Sequence, residues 1–128
     1  MTGVYLVAAE LSRRGFIASP TSRSAQGADI LATDIECKKS FAVQVKSNAT
    51  TFGFWLLGAK AKTFKAKTLI YAFVNIRKDR TDFYLVPSSF VANNVHESKP
   101  SMTRQSAWHA IRLEKVEKYK DNWKIFDK

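Results

Sequence analysis

The sequence is poor in cysteine, in histidine and in long apolar runs. Cys37 is the single cysteine, so no disulfide can form within the chain and a reducing compartment is expected. Together with His96 and His109 it does not make the spacing of a zinc site. The longest apolar run falls far short of the roughly 20 residues that a membrane helix requires. The first basic residues follow the first apolar segment, which argues against a secretory signal. These features predict a soluble, cytoplasmic protein.

Acidic residues are also scarce. The 128 residues include 11 Asp and Glu against 21 Lys and Arg, which gives a formal net charge of +10. On a chain of this size that charge indicates affinity for polyanions, with nucleic acid the first candidate and an anionic membrane the second. A basic protein without such a ligand is the plain alternative. A hydrophobic fraction of 45%, with no repeat, low-complexity tract or linker, predicts a single domain over residues 1–128.

Hydrophobic periodicity predicts an α/β fold with a mixed sheet. Apolar positions at helical spacing indicate a helix over residues 3–14, with Thr2 as its cap and Gly15 just beyond its end. The predicted strands are 16–19, 28–33, 40–47, 68–76 and 82–86. The other predicted segments are a short strand and a basic helical turn between residues 52 and 68, a helix from Pro87 to Val95, a loop at 96–107, and a C-terminal extension from about 108 made of a strand to 113 and a helical segment at 114–126.

The stretch GADILATDIECKKSFAVQVKS, residues 27–47, reads as a hairpin with one polar face. Gln44 and Lys46 are two residues apart on a strand, so their side chains point to the same side. Antiparallel pairing brings Asp29 opposite one of them if the numbers of two paired residues add to 73 or 75. If the numbers add to an even total, the Asp29 side chain points to the opposite face of the sheet. The sequence leaves the register open.

In the odd register a carboxylate, an amide and an ammonium group converge. Such a cluster suits metal-assisted phosphodiester hydrolysis, because Mg²⁺ takes oxygen ligands and activates water. A neighbouring lysine can orient that water and stabilise charge on the phosphate. The alternative is an ordinary half-exposed strand, with Asp29 a turn or strand-end residue and Lys46 a solvated lysine.

The order of elements over residues 3–76 resembles the PD-(D/E)xK nuclease superfamily. GADILA supplies the first acid, QVK occupies the acid-x-lysine position, and VAAELSRRGF is similar to the first helix of restriction-endonuclease-like and Holliday-junction-resolvase-like members. The resemblance implies a restriction-endonuclease-like core, in which helices flank a mixed central sheet. Its expected order is an N-terminal helix, an antiparallel meander, a helix and further strands.

The resemblance also implies roles for individual residues. Asp29 would be the principal ligand of Mg²⁺ or Mn²⁺, and Gln44 would bind or orient through its amide oxygen. The backbone carbonyl of Val45 would complete the metal shell, and Lys46 would activate water. Glu10 would be a ligand of a second metal or would act through water.

Two positions depart from the family pattern. Ala28 stands where proline is common, which is harmless. Gln44 replaces the second acid, as in Mrr-type restriction enzymes, and removes one negative charge, so metal binding should be weaker. Glu10 has an alternative as well, since it can simply pair with Arg13, Arg14 or Lys46.

Basic residues extend the expected nucleic-acid surface. The candidates for phosphate contacts are Arg13, Arg14, Arg23, Lys60, Lys62, Lys65 and Lys67. The alternative is a solvated lysine-rich face. Phe54 and Trp55 are candidates for stacking on an unpaired base, with core packing as the more ordinary explanation.

These observations favour a Mg²⁺-dependent endonuclease that acts on DNA, or on RNA, with a homodimer as one source of specificity. The alternative is a catalytically weak or inactive module of the nuclease fold that binds nucleic acid or a partner protein. A third interpretation is a structural or interaction protein without a nucleic-acid role.

Overall fold

The computed structural model describes residues 1–22, 27–49, 53–98 and 108–127, and within these ranges it is an α/β structure. The strands are β1 (Phe16–Pro20), β2 (Ile30–Asp34), β3 (Ser40–Asn48), β4 (Phe54–Leu57), β5 (Leu69–Ile76), β6 (Thr81–Pro87), β7 (His96–Ser98) and β8 (Trp108–Arg112). The helices are α1 (Thr2–Arg13), α2 (Ser88–Asn94) and α3 (Leu113–Val116), and 3-10 turns lie at Ala59–Lys62, Glu117–Tyr119 and Trp123–Asp127. No helix in this described part of the chain is long and apolar enough to cross a membrane.

Two sheets organise the chain. The larger has the order β1-β2-β3-β5-β6 and is mixed: β1, β2 and β3 form an antiparallel meander, β5 runs parallel to β3, and β6 returns antiparallel to β5. The smaller sheet has the order β4-β8-β7 and is antiparallel. The prediction of an α/β fold with a mixed sheet is therefore confirmed.

The N-terminal helix covers one face of the large sheet. α1 buries the apolar stripe of Val4, Val7 and Leu11, as its 3.6-residue periodicity predicts. The helix begins one residue earlier than expected, so Thr2 lies inside it and Met1 occupies the cap position. Gly15 has φ +94°, the left-handed conformation that is common just after a helix end.

The large sheet separates two cores, because alternate residues of its strands point to opposite faces. In β5, Ile70, Ala72 and Val74 belong to the core under α1, whereas Tyr71 and Phe73 belong to the core on the other side. The second core is completed by residues of the small sheet, α2 and α3, namely Trp55, Ile111, Val91 and Val116. The candidate polar face of β3 is on this second side.

The connection between β3 and β5 differs from the expected core. The resemblance implies a helix there, but the described residues of the connection form the strand β4 and a single 3-10 turn at Ala59–Lys62. Trp55 explains the strand, because its buried ring packs on Phe73 and its indole N–H donates to the Val74 carbonyl, 3.1 Å away. A helix in this place could not also pair with β8, as β4 does.

The C-terminal segment also differs from the expectation of one helical segment at 114–126, because it is divided into short helical elements. Val116 packs in the second core, whereas Trp123 and Phe126 pack in the first core under α1. The chain must therefore pass the edge of the sheet between them, and Asp121 with φ +54° marks the change of direction. The segment consists of α3 and two 3-10 turns for this reason. Residues 96–98, expected in a loop, form β7 beside β8.

Candidate functional site

The β2–β3 hairpin adopts the odd register. Ile30 pairs with Val43 and Thr33 with Ser40, so the numbers of paired residues add to 73. Asp29 directly precedes Ile30, just beyond the paired stretch, and its backbone N–H donates to the carbonyl of Val43 in β3. Of the two classes of register left open by the sequence, this is the one that the candidate site requires.

Two hydrogen bonds connect Asp29 to β3. Its backbone N–H donates to the Val43 carbonyl at 2.8 Å, and its Oδ2 accepts from the backbone N–H of Val45 at 2.8 Å. Strand N–H groups lie in the plane of the sheet, so the carboxylate takes the place of a neighbouring strand just before β2 begins. The N–H and C=O of an extended residue point to the same side, so the Val45 carbonyl faces this carboxylate.

Gln44 and Lys46 line a cavity of about 590 Å³ on the other side of β3 from α1. Both residues are half-buried, and neither side chain makes a hydrogen bond or ion pair within the part of the chain that the structure describes. Polar side chains that are partly removed from water generally have partners. The amide of Gln44 and the ammonium group of Lys46 therefore have hydrogen-bonding capacity that a ligand in the cavity can use.

Two aromatic residues, Tyr71 and Phe64, also line the cavity. Tyr71 lies beside Gln44 in the parallel β3–β5 register and is only 4% exposed. Burial raises the pKa of the Tyr71 phenol, so this residue keeps its proton at neutral pH and can donate a hydrogen bond. Phe64 reaches over the cavity from the segment after the 3-10 turn and approaches Gly27, where a Cβ would be 2.9 Å from the ring.

Glu10 is not brought to this site. α1 packs on the face of β3 that carries Val43 and Val45, and the sheet lies between this helix and the side chains of Gln44 and Lys46. The Glu10 carboxylate instead accepts from Arg14 Nε at 3.4 Å and lies 4.0 Å from Arg13 Nε. This is the alternative arrangement that the sequence had left open for Glu10.

The predicted basic surface divides into separate parts. Lys60 lines the cavity, and Lys65 and Lys67 are exposed on the connection that leads from Phe64 to β5. Lys62 is held by Glu97, with Nζ and Oε1 3.1 Å apart, and the other oxygen of Glu97 lies 2.9 Å from His109 Nε2.

The two arginines of α1 lie at the end of the helix on the other side of the sheet. The Arg14 guanidinium stands 4.7 Å from the centre of the Trp123 ring, and Arg13 is largely exposed. Arg23 lies outside the described residues.

Sequence reasoning missed Tyr71, Gly27 and the position of Phe64. TLIYAFVNI reads as a uniformly buried strand, and nothing in it distinguishes a tyrosine at a cavity from one in the core. Trp55, a stacking candidate, is 3% exposed and packs in the second core, so the ordinary explanation was right for that residue. A weak signal for Phe64 was available, since a lone aromatic residue inside a lysine-rich segment has no apolar face to join.

The donor groups suited to a divalent cation are few. Among the described residues, no group of three or more His, Cys, Asp or Glu side chains could hold a metal ion. The available oxygens are the Asp29 carboxylate, the Val45 carbonyl and the Gln44 amide. Mg²⁺ commonly binds through one or two carboxylates together with water and substrate phosphates. The set therefore fits such an ion if the substrate's phosphate supplies further ligands.

Comparison of the chain with protein-family models found no match, and comparison with curated proteins also found none. The resemblance to PD-(D/E)xK nucleases therefore depends on the residues quoted above and on the order of the elements.

Proposed function

We propose that the chain is a metal-dependent endonuclease that hydrolyses phosphodiester bonds in DNA at Asp29, Gln44 and Lys46. The observation that carries the proposal is the hydrogen bond from Val45 N–H to Asp29 Oδ2. This bond holds a carboxylate against the strand segment whose neighbouring residues present an amide and an ammonium group to a cavity. Lys60 adds a second positive charge to the same cavity, and positive charge favours a polyanionic substrate.

The order α1, antiparallel β1–β2–β3 and parallel β5 supports a restriction-endonuclease-like core. The departure is the strand and 3-10 turn in place of the helix between β3 and β5. A soluble protein with its single cysteine unpaired would carry out this activity in the reducing cytoplasm.

Different groups of the chain would have different roles in the reaction. Asp29, the Val45 carbonyl and the Gln44 amide oxygen would hold Mg²⁺ or Mn²⁺, which when bound lowers the pKa of water and polarises the phosphate. Lys46 orients the attacking water by hydrogen bonding and offsets the charge that develops on the phosphate oxygens. Lys60 binds the phosphate backbone at the cavity.

Cleavage of labelled DNA with Mg²⁺ or Mn²⁺, and with a chelator, tests the proposal. Asp29→Asn and Lys46→Ala should each lower the cleavage rate by about 100-fold or more, because each removes a group that acts on the reacting phosphate. Lys124→Ala, which removes the same charge from the 3-10 turn on the α1 side, is the matched control and should cleave normally. If both site variants cleave at the rate of the unmodified protein, the proposal is wrong.

A second candidate function is nucleic-acid binding without catalysis. The observation in its favour is that, among the described residues, Asp29 is the one carboxylate bonded to β3 beside Gln44 and Lys46, since Gln44 replaces the second acid and Glu10 pairs with Arg14 across the sheet. DNA binding that weakens with salt, together with no heat of Mg²⁺ binding in calorimetry and no cleavage, would select this function.

A further inference from the structure

We infer that the cavity beside Gln44 receives an unpaired nucleotide, so that the nucleic acid recognised here is single-stranded or locally unpaired. This inference rests on the proposed function, because it concerns the same site and names its substrate class. Its central observation is Phe64, a partly exposed aromatic ring placed over a cavity of polar and basic side chains.

The shape of the site favours a strand that has left the duplex. Gln44 and Lys46 line a half-open cavity of about 590 Å³ together with residues of the segment from Gly58 to Phe64. Cavities of this size enclose small organic groups. A base inside a duplex is stacked and paired, and reaches such a cavity only after it leaves the stack.

The ring of Phe64 supplies a stacking surface. It is 42% exposed although it is large and apolar, and the edge of its ring lies close to Gly27, which also lines the cavity. Every base offers an aromatic face, so stacking on such a ring is favourable and tolerant of sequence. Gly27 has no side chain, which leaves room for the Phe64 ring beside its backbone, and its φ of +85° is a conformation that glycine adopts readily.

The remaining lining groups suit the other parts of a nucleotide. The N–H₂ group of the Gln44 amide offers two donors, which can reach an acceptor on the edge of a base while the amide oxygen faces the metal ion. Lys46 and Lys60 provide positive charge that can meet a phosphate. Tyr71 also lines the cavity, and a phenol can donate a hydrogen bond.

Binding measured without metal tests this inference separately from catalysis. The probes are a fluorescently labelled 12-nucleotide thymidine strand and a labelled 12-base-pair duplex, titrated in a chelator at fixed salt. Phe64→Ala should weaken binding of the single strand by about 5- to 150-fold, the range expected for one stacked base, and leave duplex binding unchanged. Phe64→Tyr should restore most of the affinity. Tyr5→Ala, which removes another exposed aromatic ring on the α1 side, should have no effect.

A second readout reports stacking directly. A single strand with one 2-aminopurine should lose fluorescence on binding to the unmodified protein and to Phe64→Tyr, but not on binding to Phe64→Ala. The inference is overturned if Phe64→Ala binds the single strand as tightly as the unmodified protein, or weakens both probes equally. If binding depends on Phe64 while no cleavage occurs with any metal, the endonuclease proposal fails and this inference stands. If duplex cleavage is efficient and independent of Phe64, the endonuclease proposal stands and this inference fails.

Discussion

At the scale of single residues, Asp29 has a structural task in addition to its proposed catalytic one. Its carboxylate is the acceptor for the Val45 N–H at a position where β3 has no neighbouring strand on that side. A backbone donor that loses its partner in a partly buried place destabilises the fold. Loss of activity in an alanine variant would therefore mix two effects, which is why asparagine is the better substitution.

Asp29→Ala should lower the free energy of unfolding by about 1–3 kcal/mol, because the Val45 N–H is left without an acceptor. Asp29→Asn keeps an oxygen at the same place and should lose clearly less. Urea denaturation followed by tryptophan fluorescence measures the difference. Equal unfolding midpoints for the two variants would show that the hydrogen bond contributes little.

At the scale of elements, the turn between β2 and β3 fixes the geometry of the site. Asp34 closes this turn with its side chain, since Oδ1 accepts from the backbone N–H groups of Lys38 and Lys39 at 2.7 and 2.8 Å. Cys37 adopts φ +59° within it. A slip of one residue in the hairpin would move Asp29 away from the Val45 N–H and reverse the faces of β2. Asp34 therefore helps to determine which groups meet at the candidate site.

The turn should make stability depend on pH in the acid range. The backbone N–H of Lys39, and then that of Lys38, lowers the pKa of Asp34 below its ordinary value of 3.8. The folded protein thus favours the ionised carboxylate, so this contribution is complete above pH 3.8 and is lost as the pH falls through the lowered pKa. The urea midpoint of the unmodified protein should exceed that of Asp34→Asn at pH 6, and the difference should shrink towards pH 2.5. A difference that stays constant with pH would contradict this role.

At the scale of the whole molecule, the net charge of +10 is less informative than its distribution. Lys65 and Lys67 are exposed on the chain segment that continues from the cavity wall, whereas Arg13 lies at the end of α1 on the other side of the sheet. A strand bound at the cavity would pass the two lysines and not the arginine. The charge therefore predicts polyanion binding in general, and its placement predicts which residues take part.

The salt dependence of binding should reveal this difference. For a single strand, each phosphate contact adds about 0.7 to the slope of log affinity against log salt concentration. Lys65→Ala combined with Lys67→Ala should therefore reduce the slope by about 1.4, and Arg13→Ala should leave it unchanged. Titrations of the thymidine strand at several salt concentrations measure the slopes. An equal reduction by Arg13→Ala would indicate a diffuse electrostatic effect.

Elements with a strong local pattern were predictable. α1, the β2–β3 hairpin and β5 each have an apolar period or run that decides their type without long-range contacts. β7 and the C-terminal tail could not be predicted in the same way. β7 is a three-residue strand that exists because β8 lies beside it, and the tail is divided because Val116 and Trp123 join different cores.

The sequence by itself determined that Gln44 and Lys46 share a face, because the period of a strand is two residues. It also determined the basic character of the surface. Only the tertiary structure decided that Asp29 meets β3 between them, that Tyr71 and Phe64 complete the cavity, and that Glu10 lies across the sheet. Register, parallel pairing and the face that a helix covers depend on contacts between residues far apart in the chain, and no local pattern contains them.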